Sequence, residues 1–230
     1  MPANVLDVGH TASVRFYFDF ISPYSYLAWT QVHDLGARHR REVEPVPVLF
    51  AGLLGAHGGI GPAEIPAKRR YLLTDVARTA RRLGVPFALP PAHPFNSLLA
   101  LRVASLPMAD GQRRALVDAL FAATWGGGAG VTDPSQVARM AESVGLDGKA
   151  VLDEAGTPDA KERVRRRTDE AIAAGVFGVP TIDVDGELFW GFDSFANLDA
   201  FLRGEGAIDG TLKAQWEALP ASATRKLPPK

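Results

Sequence analysis

The chain has 230 residues, of which 47% are hydrophobic and 22% are charged, and its formal net charge is -1 at pH 7. This composition is typical of one large domain, or of a domain with an insertion, and the charge gives no general attraction to nucleic acid or to an anionic membrane. The absence of cysteine excludes structural disulfides, thiolate zinc sites and redox chemistry by an internal dithiol.

The first predicted element is a buried strand at residues 14–20, which are rich in aromatic side chains and contain no turn residue. Ser22 followed by Pro23 predicts the start of a helix. A serine oxygen can accept a hydrogen bond from an unpaired amide, and proline lacks a donor that the first helical position does not need. Apolar residues then recur at helical spacing as far as Leu35.

The next strand signal, at residues 43–49, is interrupted by Pro45 and Pro47, which confine such a strand to the edge of a sheet. From residue 51 to residue 176 the pattern changes to apolar stripes of helical period, separated by glycine and proline. We therefore predict a β, α, edge β unit followed by an all-helical block.

A second β region follows the helical block. Residues 181–190 predict a β-hairpin, because two strand-like runs flank Asp185-Gly186, a dipeptide that two-residue hairpin turns favour. A closing helix is predicted to start near Asp193 or Ser194.

Together these elements predict an α/β fold with a thioredoxin-like core of order βαβ…ββα. Residues 13–50 and 177–203 form this core, and residues 51–176 form a large all-helical insertion. Residues 204–230 form a C-terminal tail with weak helical character.

Two segments resemble the signatures of a known family, the 2-hydroxychromene-2-carboxylate isomerases and the related kappa-class glutathione transferases, which are DsbA-like proteins. The first is residues 18–28 (FDFISPYSYLA), and the second is residues 176–181 (VFGVPT) together with 190–193 (WGFD). The pair in this order is more specific than either motif alone. Two segments of the insertion also match: 65–71 (IPAKRRY) and 93–96 (HPFN).

The resemblance implies glutathione as the cofactor, with Ser22 as the catalytic residue that contacts its sulfur. It also implies that Pro180 is cis, so that the Val179 backbone binds the cysteinyl part of glutathione as an added strand would. Asp193 would face the γ-glutamyl end, and Phe192 stands where the family usually has a small polar residue. The predicted cofactor-binding residues are Ser22, Val179, Pro180, Phe192, Asp193 and Ser194.

Only a small fraction of a free thiol is ionised at neutral pH, because its pKa is about 8.5, so the protein must stabilise the thiolate. A helix N-terminus stabilises an anion by about 0.3 to 1 kcal/mol, and a hydrogen bond to a charged group contributes about 1.5 to 3 kcal/mol. At about 1.4 kcal/mol per pKa unit, the two together lower the thiol pKa by roughly one to three units. Ser22 can accept from a helix amide while its proton points at sulfur.

For an isomerase, the thiolate adds to a conjugated double bond, permits rotation about the resulting single bond, and leaves. Lys68, Arg69 and Asn96 are the candidate donors that stabilise the negative charge on the substrate between these steps. Tyr24 and Tyr26 are the candidates that flank an aromatic substrate, and Trp125 is a candidate for the lining of the pocket. The expected substrate is a small aromatic carboxylate of the hydroxychromene type.

Other interpretations stay open. A kappa-like transferase or peroxidase would use the same thiolate on an electrophile, and a binding protein with this fold would carry out no chemistry. Ser22 and Asp193 could act only as helix caps, and Pro180 could simply start a strand.

The remaining predictions concern surroundings and partners. The five histidines show no metal-ligand spacing, so no metal is expected. Nucleic acid and membrane are not expected as partners, whereas a homodimer is implied by the family. The first twelve residues do not resemble a signal peptide and no apolar run reaches membrane length, which predicts a cytoplasmic protein.

Overall fold

The structure is a computed structural model that describes residues 13–205 and 208–223. A four-stranded sheet with the order β2-β1-β3-β4 lies at its centre. β1 pairs in parallel with β2 and antiparallel with β3, and β3 forms an antiparallel hairpin with β4. The strands are β1 (Val14–Phe18), β2 (Val43–Pro47), β3 (Thr181–Val184) and β4 (Glu187–Trp190).

The predicted edge strand and hairpin are both confirmed. β2 lies at the sheet edge, with Pro45 opposite Phe16. An edge strand has one neighbouring strand, so the N–H that proline lacks is not needed for hydrogen bonds to a second one. In the hairpin, Asp185 and Gly186 have φ values of 54° and 88°, as a type I′ turn requires. Asp183 Oδ1 accepts a hydrogen bond from the Gly186 N–H at 3.0 Å and fixes this turn.

Regular structure between β2 and β3 is helical in the described chain, as predicted. Two short 3₁₀ turns, Pro62–Glu64 and Phe192–Ser194, accompany the α-helices. The α-helices are α1 (Pro23–Arg38), α2 (Phe50–His57), α3 (Pro66–Leu83), α4 (Leu98–Ala104), α5 (Asp110–Trp125), α6 (Pro134–Ser143), α7 (Gly148–Ala155), α8 (Pro158–Ala173), α9 (Phe195–Leu202) and α10 (Gly210–Glu217).

One large hydrophobic core joins the sheet to the helical insertion. Phe18, Phe20 and Phe121 are fully buried, and the rings of Phe20 and Phe121 are 4.8 Å apart. Phe18 also packs edge-on against Phe20 at 5.3 Å. Burying each such side chain contributes about 1.5 to 3 kcal/mol, so β1 and α5 are held firmly together. This packing fixes the turn that leads from β1 into α1.

The C-terminal tail contains α10, which agrees with the weak helical pattern predicted there. Its side chains are exposed, including Leu212 and Trp216. No helix in the described part of the chain is both long and apolar enough to cross a membrane.

Candidate functional site

The first group of the site is the Ser22 hydroxyl at the start of α1. Ser22 is the N-cap residue, with φ -92° and ψ 114°, and its Oγ accepts a hydrogen bond from the Ser25 N–H at 3.1 Å. Pro23 occupies the first helical position, as predicted. The Ser22 residue is 8% exposed, so its hydroxyl lies in a largely desolvated position beside the positive end of the helix.

The second group is the backbone of Val179. The Val179-Pro180 peptide bond is cis, as the resemblance implies. The Ser22 hydroxyl donates to the Val179 carbonyl oxygen at 3.5 Å, the long limit for a hydrogen bond, so this contact is weak. Since β3 begins only at Thr181, Val179 precedes the sheet ladder, and its N–H has no backbone partner among the described residues. Two segments distant in the sequence therefore meet at one polar point.

An exposed aromatic pair lies next to this loop, and the sequence analysis did not select it. The rings of Phe177 and Trp190 are 5.0 Å apart, and the residues are 45% and 55% exposed. Gly178 permits this arrangement, because a Cβ there would lie 2.7 Å from Trp190 Nε1. Their place within the second signature segment was the available signal.

Asp193 is exposed in the 3₁₀ turn that follows β4. Its negative charge contributes to raising the pKa of Tyr24, which places the two residues near each other. The predicted neighbours are otherwise engaged: the Ser194 hydroxyl donates to the Gly191 carbonyl at 2.7 Å, and the Phe192 ring packs on Phe195 at 5.3 Å and on the core. Ser194 is the N-cap residue of α9, but its side chain makes no capping hydrogen bond to the helix.

Tyr24 joins α1 to α3. Its phenol donates to Asp75 Oδ2 at 2.8 Å. Burial, and then this bond to a carboxylate, raise the pKa of Tyr24, so the phenol stays protonated at neutral pH. Tyr24 is therefore a fixed link between two helices, with its donor already in use.

Three predicted substrate residues lie at the starts of two insertion helices. Lys68 and Arg69 are exposed in the first turns of α3. Asn96 is exposed just before α4, and its Oδ1 accepts from the Leu98 N–H at 3.0 Å. That bond uses the amide oxygen of Asn96 and leaves its two N–H donors available.

Trp125 does not lie at the surface of the site, and the prediction that it lines the pocket needs correction. The residue is 1% exposed, and its indole N–H donates to the Phe20 carbonyl at 2.8 Å. The apolar indole body is more stable in the core, where its one polar group finds this partner. Trp125 instead supports His93 and Phe95, whose rings are 5.4 and 6.4 Å from its own. Tyr26, predicted to flank the substrate, is likewise buried, at 5% exposed.

His93 is a residue that the sequence analysis missed, since histidines were considered there only as metal ligands. Its Nε2 lies 3.0 Å from the carbonyl oxygen of Ile21, directly before Ser22. Burial lowers the pKa of His93, and the positive charge of Arg69 lowers it further, against the opposite effect of the bond to Ile21. The signal was its position three residues before Asn96, within a segment that matches the family.

Asp19 fixes the turn between β1 and α1. The residue is 1% exposed, and its two oxygens accept from the Ile21 N–H at 3.1 Å and the Phe50 N–H at 2.9 Å. Burial raises the pKa of Asp19, while a bond with Ser97 and these two amides act in the opposite direction. The turn explains why β1 ends at Phe18, two residues before the predicted end.

Neither a metal cluster nor the small cavity near Phe95 marks this site among the described residues. Within the described residues, no group of three or more His, Cys, Asp or Glu side chains is arranged to hold a metal ion. A small cavity lined by Pro91, Phe95 and Val131, among others, does not include Ser22. The candidate site is therefore defined by polar groups that converge at the start of α1.

Comparison with known proteins agrees with this geometry. The model of the DSBA-like thioredoxin domain family matches residues 13–203. The 2-hydroxychromene-2-carboxylate isomerase of Sphingobium xenophagum is 32% identical over 194 residues, which cover 84% of this chain and 98% of that protein. The glutathione S-transferase kappa 2 of Caenorhabditis elegans is 27% identical over 184 residues, covering 74% and 80%.

A solved structure of a 2-hydroxychromene-2-carboxylate isomerase superposes with a TM-score of 0.77 at 30% identity. The match covers 90% of this chain and 99% of that one, so it includes both the sheet and the helical insertion. The chain therefore belongs to the DsbA-like thioredoxin family, as an enzyme related to the 2-hydroxychromene-2-carboxylate isomerases and, more distantly, to the kappa-class glutathione transferases.

Proposed function

We propose that this protein is a glutathione-dependent isomerase of an aromatic carboxylate of the 2-hydroxychromene-2-carboxylate type. The observation that carries the proposal is the meeting of the Ser22 hydroxyl, at the N-terminus of α1, with the Val179 backbone beside a cis proline. The chain has no cysteine, so a sulfur at this position must come from a bound molecule.

The residues present fit glutathione. The Val179 N–H and C=O can pair with the cysteinyl backbone in the manner of an added strand. The exposed Asp193 carboxylate suits the γ-glutamyl ammonium group, and Ser22 suits the sulfur. When bound, the tripeptide supplies a thiolate that adds reversibly to a conjugated double bond and so permits rotation.

Ser22 stabilises this thiolate through its own proton. The 3.5 Å bond to the Val179 carbonyl is weak enough to be given up for a stronger bond to a charged sulfur. The bond from the Ser25 N–H keeps the oxygen in place while the proton is redirected. Together with the helix N-terminus, this lowers the bound thiol pKa by roughly one to three units, and no separate base is required.

The insertion and the exposed aromatic pair of Phe177 and Trp190 bind the substrate. Arg69 and Lys68 attract its carboxylate, and the free N–H donors of Asn96 suit the oxygen on which charge develops. Phe177 and Trp190 offer exposed ring faces to an aromatic substrate. Tyr24 holds α3 at a fixed distance from α1, and Trp125 supports the site from the core.

A direct assay tests the proposal. The purified protein is incubated with 2-hydroxychromene-2-carboxylate, with and without glutathione, and isomerisation is followed by ultraviolet absorbance. We expect rapid isomerisation only with glutathione, because the chain has no thiol of its own. Replacing glutathione by S-methylglutathione is the matched control, since it fills the same site without a free thiol. Isomerisation at equal rates with both compounds would exclude thiolate chemistry.

The second candidate is a kappa-like transferase or peroxidase, which the 27% identity to a kappa-class enzyme favours. It predicts a stable conjugate with a general electrophile, or peroxide reduction, in place of isomerisation. A binding protein without chemistry predicts no turnover in any of these assays. If calorimetry detects no heat with millimolar glutathione, glutathione is excluded as the cofactor.

The homodimer and the cytoplasmic location stay predictions. Light scattering after gel filtration measures the mass in solution, and a mass near 25 kDa would contradict the homodimer, because the chain itself has a mass of 24.6 kDa.

A further inference from the structure

His93 contacts the turn before Ser22 and lies within the electrostatic reach of Arg69 at the start of α3, and the proposed function leaves it without a role. Its Nε2 is 3.0 Å from the Ile21 oxygen, which belongs to the peptide group that contains the Ser22 nitrogen. A carbonyl oxygen can only accept, so Nε2 carries the hydrogen and Nδ1 is the basic nitrogen of the neutral ring. Among the described residues Nδ1 has no hydrogen-bond partner, and it is not one of the buried unpaired atoms.

The surroundings of His93 keep its ring neutral at pH 7. Trp125 on α5 and Phe95 on the same loop cover the ring with aromatic surface. The charged side chain that acts on it is Arg69 on α3, whose positive charge opposes a second positive charge on the imidazole. His93 therefore has a lone pair ready to take a proton, and its Nε2 bond fixes the direction of the ring.

The substrate class has a matching requirement. In 2-hydroxychromene-2-carboxylate, one carbon carries the carboxylate, the hydroxyl and the ring oxygen, so the molecule is a cyclic hemiketal. The ring must open to a phenol and a ketone before the double bond is conjugated to a carbonyl and can accept a thiolate. Opening removes a proton from the hydroxyl and delivers one to the ring oxygen. Because both oxygens are on the same carbon, one base can reach both.

Resting on the proposed function, we infer that His93 is the catalytic residue that moves this proton, while Arg69 holds the carboxylate on the same carbon. Nδ1 takes the hydroxyl proton, and the hydroxyl oxygen forms the ketone as the bond from carbon to the ring oxygen breaks. The electron pair of that bond goes to the ring oxygen, which then takes the proton from Nδ1. The imidazole is restored, with no net change in protons and no redox partner.

The variant His93→Gln tests this role. The glutamine amide nitrogen lies at the position of Nε2, so it can keep the bond to the Ile21 carbonyl, but it cannot titrate. We expect kcat to fall by about 10²-fold to 10⁴-fold, the usual range for loss of general acid–base catalysis. The KM for the substrate and the affinity for glutathione should stay near those of the wild type. The part of the acid fall in kcat that His93 causes should be absent from the variant, which keeps only the fall caused by protonation of the bound thiol.

His57→Gln is the matched control. His57 also contacts a backbone carbonyl through Nε2, that of Val176 at 3.2 Å, and it is not assigned to the reaction. We expect it to keep wild-type kcat and the wild-type pH profile. A fall in kcat equal to that of His93→Gln would mean that replacing any histidine that contacts a backbone carbonyl by glutamine is sufficient, and it would overturn the inference.

A second measurement does not depend on turnover. Histidine ring signals are followed by NMR in the protein without glutathione, with chromone-2-carboxylate as the probe because it carries the ring and carboxylate but lacks the hydroxyl. We expect the His93 signal to titrate below pH 6.5 and to shift when the probe binds. A His93 signal that does not respond to saturating probe would place the substrate elsewhere and overturn the inference.

The two proposals fail in distinguishable ways. If the wild-type protein does not isomerise the substrate with glutathione, the proposed function fails. If the wild type is active and His93→Gln is equally active, only the role of His93 fails.

Discussion

The two sides of the site at Ser22 are built differently. The core side, formed by Ser22, Val179 and Pro180, is buried and presents a capping hydroxyl and backbone groups held by a helix start and a strand. The insertion side, formed by Lys68, Arg69, His93 and Asn96, presents mainly exposed side chains on separate turns. The core side, which consists of backbone groups and one hydroxyl, is proposed to hold the glutathione sulfur whatever the substrate. In the proposed function the side chains opposite determine which substrate is used, so substitutions on the two sides should have different consequences.

Apart from that of His93→Gln, the largest effect is expected on the core side, from Ser22→Ala. Losing the hydroxyl removes a hydrogen bond of about 1.5 to 3 kcal/mol to the charged sulfur, which raises the pKa of the bound thiol by roughly one to two units. The smaller thiolate fraction lowers kcat/KM at neutral pH by about 10-fold to 30-fold. Because the thiolate serves every substrate, the loss should be similar for an isomerisation substrate and a general electrophile. Steady-state kinetics with both compounds measure this.

Ser25→Ala provides the control for that result. Its hydroxyl is buried on the same helix and has no hydrogen-bond partner, so its removal should be nearly neutral. Unfolding by urea should show that Ser22→Ala costs about 0.5 to 2 kcal/mol as a lost cap. Equal activity of Ser22→Ala and Ser25→Ala would contradict the role of Ser22.

Arg69→Gln should have a smaller and more selective effect on the insertion side. Loss of a charge-assisted contact on an exposed helix start should raise KM for the carboxylate substrate about 10-fold, with little change for an uncharged electrophile. It should also raise the pKa of His93, because the opposing positive charge is gone. Kinetics and histidine NMR measure the two outcomes. Arg70→Gln, on the next residue of α3, is the control, and an equal rise in KM would contradict a specific role for Arg69.

His33 separates burial from function, because it lies on α1 like Ser22 but packs in the core against Trp29 at 4.4 Å. Burial, and to a lesser degree Arg114, lower the pKa of His33 to about 4. The unfolded chain therefore takes up this proton first, and stability is lost as the pH falls from about 6.5 to about 4. Between pH 6.5 and pH 4, the unfolding free energy of His33→Phe should therefore fall by about 1 to 2 kcal/mol less than that of the wild type. This value allows for the partial solvent exposure of His33.

Thermal unfolding at several pH values checks the behaviour of His33. Activity at neutral pH should be unchanged, in contrast to His93→Gln. Parallel acid curves for the two proteins would show that His33 does not titrate in the folded state as described.

The smallest effect is expected from Tyr24→Phe, which removes one link between the two sides. Loss of the hydrogen bond to Asp75 should cost about 1 to 2 kcal/mol of unfolding free energy, because its acceptor is charged. The pKa of the bound thiol should not change. Urea unfolding measures the first outcome, and a changed thiol pKa would mean that Tyr24 acts on the sulfur as well as on the helix packing.

The core side could be predicted from the sequence because its signals are local. Ser22-Pro23 defines a helix start and Asp185-Gly186 defines a hairpin turn, each within a few residues, and both elements are present in the structure. The cis proline followed from the family resemblance, and it too is present.

The insertion side could not be predicted in the same way, because its arrangement depends on distant contacts. Trp125 bonds to the Phe20 carbonyl across 105 residues of sequence, and Tyr24 bonds to Asp75 across 51. No periodicity or turn motif indicates which polar group such a side chain will find. The position of His93 beside Ile21 likewise depends on how the insertion packs onto the β1–α1 turn.

The central claim is that the start of α1 binds the thiolate of glutathione. It is tested most directly by the titration of glutathione labelled with ¹³C at its cysteinyl β-carbon and bound to the wild-type protein, followed by NMR against pH. The account predicts a pKa one to three units below the value of about 8.5 for a free thiol. A bound thiol that titrates at the same pH as free glutathione would contradict it.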